Sequence, residues 1–212
     1  MVLGYHLILS AYGFWLPNDP RGSWSTFVGS WELYRFGAAT TTTCRRSLAQ
    51  RPHDRERRLA AKRALKYPAV RFNGRQAQAV GAGFGNRVRE SQLTAWACTI
   101  LPEHAHLVIA RHTYPAEQVA NLLKGSATTD LLRRDLHPLA GYAAAGWRPP
   151  TPWARGQWKV FLKTEAEVDR ASRYVEANPA REGLPPQKWS FVVPYPGTCP
   201  SGEVERFPSG RG

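Results

Sequence analysis

Cysteine is scarce in this chain. Its 212 residues hold three, Cys44, Cys98 and Cys199, an odd number, widely scattered and without CxxC spacing. That pattern excludes a disulfide-stapled framework and a cysteine-rich zinc module, and it predicts free thiols with Cys98 in the core. Acidic residues are also few, 16 against 29 Lys and Arg, which leaves a formal charge of +13 and a pI near 10.2. No apolar run approaches the roughly 18 residues that a membrane-spanning helix needs. The opening "MVLGYHLILSAYGFWLPNDP" lacks the basic start and small-residue cleavage site of a signal peptide. A soluble, intracellular protein is expected.

What is present is enough to build a core. The chain is 42% hydrophobic with eight Trp, material for one well-packed domain of roughly 100 to 150 residues plus insertions or tails. A balance this basic indicates a polyanionic partner, nucleic acid or an anionic membrane surface. Between Arg45 and Arg75, eleven Lys or Arg face only Asp54 and Glu56, so this segment supplies +9 of the +13. Within it, "PHDRERRLAAKRALK" is compatible with a helix that has Pro52 near its start.

The segment "GYHLILSAY" alternates Tyr5, Leu7 and Leu9 against His6, Ile8 and Ser10, which predicts a strand running into a turn-rich loop. Val80, Phe84 and Val88 recur at helical spacing, weakened by Gly81, Gly83 and Gly85; "GAGFGN" lacks the GxGxxG spacing of a phosphate loop. "LTAWACTI" and "HAHLVIAR", joined by "LPE", read as a β-hairpin. "TYPAEQVANLLKGSATTDLLRRDLHP" reads as one helix, or two with a break near Gly125. "WKVFLK" is a short strand with Trp158, Val160 and Leu162 on one face. Thr164 and Glu167 have capping-box spacing at the head of "TEAEVDRASRYVEANPAREGL", a helix expected to stop at Pro179. The tail from 194 to 212 is rich in Pro, Gly and Ser and is expected to be disordered. This order of elements predicts an α+β fold: a ferredoxin-like split βαβ sandwich with a central antiparallel sheet, an extra C-terminal helix and a basic insertion.

Two histidines stand out in "ILPEHAHLVI". Residues i and i+2 of a strand share a face, so His104 and His106 point together with Cα atoms about 6 to 7 Å apart, close enough to share a metal. A hydrogen-bonded pair packed under a helix is the structural alternative. His6, His53, His112 and His137 stand alone and read as structural or exposed. On the capped helix, Val168, Ala171 and Val175 form an apolar stripe, with Tyr174 and Asn178 side by side on its flank. Taken alone, these two suit a core tyrosine and a helix-ending asparagine.

Taken together, "ILPEHAHLVI" and, some seventy residues later, "RYVEANPAREGL" resemble the HUH and Tyr-x-x-x-Asn motifs of single-tyrosine HUH transposases, in particular REP-associated tyrosine transposases. "GYHLILSAYGFWLPNDPRGSW" is similar to the first strand and loop of some members. The resemblance covers roughly residues 4 to 192, with about residues 25 to 75 as an insertion, and implies one catalytic domain over residues 1 to 193. It further implies that His104, His106 and Asn178 bind a divalent metal and that Tyr174 is the nucleophile, leaving a 5′-phosphotyrosine. Imidazole and amide ligands suit Zn or Mn, whereas the family implies Mg or Mn. Mg or Mn is the expectation, with Zn in reserve.

The implied partner is single-stranded or hairpin DNA, met in the cytoplasm and its nucleoid and not at a membrane; a homodimer is compatible with the resemblance. Arg45, Arg46, Arg57, Arg58, Lys62, Arg63, Lys124, Arg133 and Arg134 are the candidate phosphate contacts. Trp15, Trp24, Trp31, Trp147 and Trp153 are candidates for stacking bases, with Trp96 and Trp158 assigned to the core. Two other readings remain at this level: a non-catalytic nucleic-acid-binding ferredoxin-like module, and a metal-dependent phosphodiesterase.

Overall fold

Alternation along the first strand decides the layering. Leu7 and Leu9 face one side of β1 (Gly4–Ser10), and His6, Ile8 and Ser10 face the other. A computed structural model describes residues 1–14, 16, 31–37 and 54–197. Arg45, Arg46, Cys44, Cys199, His53, Trp15, Trp24 and the Trp31 side chain lie outside the described residues, as does the tail from 198. After β1 come α1 (Trp31–Tyr34), α2 (Arg55–Arg63), α3 (Gly74–Glu90), β2 (Ala95–Ile100), β3 (His104–Ala110), α4 (Ala116–Arg133), β4 (Trp158–Leu162) and α5 (Glu165–Arg181). The sheet order is β2-β3-β1-β4 and every neighbouring pair is antiparallel. That is the split βαβ arrangement expected from the element order, with α5 as the added helix.

The sheet buries both faces. On one side Leu7, Leu9, Cys98, Ile100, Ala105, Leu107 and Ile109 pack against Val80, Phe84 and Val88 of α3 and Val119, Leu123 and Leu131 of α4. Each fully buried Leu, Ile or Phe here contributes about 1.5–3 kcal/mol. On the other side Val108 and Leu162 meet Val168 and Val175 of α5. A register shift between Ala95 and Ala97 turns Trp96 toward this second layer, where Tyr195 meets it edge-on at 4.8 Å.

The glycine-rich stretch is helical because two helices need it thin. A Cβ on Gly83 would stand 2.5 Å from Ala127 Cα, so α3 and α4 approach backbone to backbone there. Asn73 and Gln76 close a reciprocal capping box at the head of α3. Asp54 caps α2 through Arg57 N at 2.9 Å. Helix α4 is continuous through Gly125, so the break considered there is absent. The free edge of β2 is covered by the C-terminal strap: the Gln187 amide bonds both N–H and C=O of Ile100, at 2.9 and 2.8 Å, and Val193 N donates to Ala95 O.

Helix α5 differs from the sequence expectation at its end. It passes through Pro179 and stops at Arg181. Proline has no N–H, which leaves the Val175 carbonyl without its i+4 donor. The buried Thr99 hydroxyl on β2 donates to that carbonyl at 2.6 Å. The helix therefore survives its proline, and the substitute bond pins it to the sheet next to Tyr174.

Candidate active site

Register brings the site together. His104 lies opposite Ser10 and His106 opposite Ile8, so the α5-facing row of β3 meets the α5-facing row of β1. His106 is buried, and its Nδ1 lies 3.0 Å from Nε2 of His6. The His104 and His106 rings are 4.7 Å apart between centroids, edge to face. Phe14, in the loop after β1, stacks on His104 at 4.7 Å with 21° between planes.

Helix α5 crosses this cluster. The Tyr174 ring lies 5.8 Å from that of His106 and 5.9 Å from that of His6, both edge-on. At 41% exposure it is open to solvent while its ring packs edge-on against the buried His106 and the half-buried His6. One turn later Asn178 is 5% exposed, and its Nδ2 is buried with no hydrogen-bond partner among the described residues. The alternate flip of the amide would place Oδ1, the atom a cation requires, in that position.

His6 is the residue that sequence reading passed over. As a lone histidine it read as structural, and only its alternation with Leu7 and Leu9 hinted at the side it faces. Burial lowers its pKa to about 4. His106 is lowered too, by burial first and then by the charges of His104 and His6. Both imidazoles are therefore neutral near pH 7, with lone pairs available. The contact to His6 occupies His106 Nδ1 and leaves Nε2 as its remaining nitrogen.

Among the described residues, no three His, Cys, Asp or Glu side chains are grouped to hold a metal ion. A cation here would rest on two imidazoles and the Asn178 amide, with oxygens of water or substrate completing its shell. A neutral His106 and an orphaned buried amide fit such an ion.

The candidate phosphate contacts separate by environment. Arg57, Lys62 and Arg63 are exposed on α2, and Arg58 is half-buried there. Arg133 and Arg134 are exposed, but both turn to the buried Asp130 carboxylate. Lys124 does not belong to the group. It is buried, its ammonium donates to the carbonyls of Ala154 and Gly156, and burial lowers its pKa to about 8. Trp153 is likewise a core residue, packed between Phe72 and Phe84, whereas Trp147 is exposed.

No family model matches this chain, and no curated protein matches it. Among solved structures it is similar to a REP-associated tyrosine transposase bound to a REP hairpin, with 17% identity, a TM-score of 0.38 and coverage of 52% of this chain. It is also similar to a presumed transposase from Deinococcus radiodurans R1, with 12% identity, a TM-score of 0.39 and coverage of 83% of this chain. The chain spans 58% of the length of the hairpin-bound transposase and 90% of that of the Deinococcus protein.

Proposed function

We propose that this protein is a single-tyrosine HUH DNA endonuclease and strand transferase, a transposase-type enzyme acting on single-stranded or hairpin DNA. The observation that carries the reading is the contact of the Tyr174 ring with the His106 ring, across the meeting of α5 and β3. The strand carrying His104 and His106 and the helix carrying Tyr174 and Asn178, some seventy residues apart in sequence, touch within a single chain, which supports the reading. No swapped helix from a second copy is required for this contact, and a homodimer remains compatible with it.

Tyr174 Oη attacks the phosphorus, the P–O3′ bond breaks, and the departing 3′ oxygen takes a proton as the phenol loses one. The product is a 5′-phosphotyrosine with a free 3′-OH, which conserves the phosphodiester energy for rejoining. A phenol with a pKa of about 10 is a weak nucleophile, so the scissile phosphate must be polarised and aligned. A divalent ion, Mg or Mn in preference to Zn, would supply Lewis-acid polarisation of a phosphate oxygen when bound. His104, His106 and Asn178 would hold it, and His6 would orient His106. The basic surface of α2 suits the backbone of a DNA substrate in the cytoplasm and nucleoid. A base-stacking module on a bare sheet is disfavoured because α5 covers the face that such a module leaves open.

The test is incubation with end-labelled single-stranded hairpin DNA and Mn²⁺, followed by denaturing electrophoresis. Wild type should form a denaturation-resistant adduct and Tyr174→Phe none. An adduct in the Phe variant would remove Tyr174 from the role, and cleavage without any adduct would favour a hydrolase.

A further inference from the structure

Residues 174, 178 and 181 of α5 fall within one narrow arc of the helix at about 100° per residue. Side chains on a helix lean toward its N-terminus. Arg181 accordingly reaches back along α5, and its guanidinium carbon lies 5.1 Å from the centre of the Tyr174 ring. Arg173, on the same helix, is neutralised by Asp169 at 3.0 Å. Arg71 and Arg87 are paired with Glu103 and Glu90. Among the described residues Arg181 has no carboxylate partner, and it is exposed beside an exposed tyrosine.

We infer that Arg181 is a further catalytic residue, gripping the non-bridging oxygens of the scissile phosphate as Tyr174 attacks. The inference rests on the nucleophile reading of Tyr174. A phosphodiester carries one negative charge, and the five-coordinate transition state concentrates charge on those oxygens. A planar guanidinium presents paired N–H donors to two of them and stays protonated throughout. Its position over the nucleophile's ring, 5.1 Å from the ring centre, leaves the fork within side-chain reach of a phosphate brought to Tyr174 Oη. It contributes charge and orientation, while the proton exchange stays between the phenol, the 3′ oxygen and solvent. A purely structural role, capping the negative end of α5 and covering the ring, predicts a different response to substitution.

The experiment measures single-turnover adduct formation on labelled hairpin DNA with Mn²⁺ for wild type, Arg181→Lys and Arg181→Gln, together with DNA affinity and thermal melting. Arg181→Gln should slow adduct formation about 100-fold, the scale of removing one anion-stabilising donor. Arg181→Lys should recover part of that loss, with melting temperature and DNA affinity near wild type for both. A Gln variant within about threefold of wild type overturns the inference, as does a rate loss matched by lost DNA affinity or lost stability. If wild type forms no adduct, the nucleophile reading fails and this inference with it. A wild-type adduct formed undiminished by the Gln variant overturns the role of Arg181 alone.

Discussion

The Thr99 hydroxyl donates a 2.6 Å hydrogen bond to the main-chain carbonyl of Val175, linking β2 to the helix that carries Tyr174. The acceptor is free because Pro179 has no N–H to offer. One side chain thus satisfies a buried carbonyl and sets where α5 sits on the sheet.

Thr99→Val should therefore act on both stability and rate. An unsatisfied buried carbonyl costs about 1–3 kcal/mol, visible as a lower urea midpoint at unchanged slope. Adduct formation should slow as Tyr174 loses its anchor, and Thr99→Ser should restore both. Equal stability of the Val and Ser variants would show that the bond is dispensable.

His6→Ala removes the partner of His106 Nδ1 and the restraint on that ring. Under the proposed metal-binding role of His106, a hydrogen-bonded partner of this kind is worth about 10- to 100-fold in metal affinity, so Mn²⁺ titration calorimetry should register a loss of that order. His6→Gln, which keeps a polar group near the ring, should lose less. Unchanged Mn²⁺ affinity in the Ala variant would assign His6 to packing alone.

Two glycines of α3 should respond oppositely to alanine. At Gly83 the new Cβ meets Ala127 Cα at 2.5 Å and N at 2.7 Å, backbone atoms that cannot swing aside. Overpacking there should cost about 1–3 kcal/mol or more. At Gly74 nothing lies within 4 Å, and alanine should be neutral or stabilise by up to about 1 kcal/mol. Chemical denaturation of the two variants checks both signs.

Lys124 makes stability depend on alkaline pH. Its pKa is lowered from 10.5 to about 8 by burial, so between those values the unfolded chain binds more protons than the folded one. Stability must then rise with pH through that window, by at most about 3 kcal/mol, while below it the full penalty of burying the charge persists. Lys124→Met should flatten this rise. Denaturant midpoints at pH 7.5 and 9.5 for the two proteins would show it, and parallel behaviour would place the ammonium in water.

Local pattern determined a good deal. Period-two alternation placed His104 and His106 on one face, and a Thr164 cap with a 3.6-residue stripe placed Tyr174 and Asn178 together on α5. The order of elements implied the split βαβ sheet. These features depend on residues a few positions apart, where backbone geometry alone relates side chains. Partners distant in sequence were decided by the tertiary structure. Strand register made His6 the neighbour of His106, and a hydroxyl from β2 let α5 run through a proline that local rules read as its end. Close approach of α4 turned the glycine run of α3 from a weakness into a requirement. Two carbonyls of the segment before β4 drew Lys124 inward, away from the surface its charge suggested. In each case the deciding atom belongs to another element, and no period within one segment encodes it.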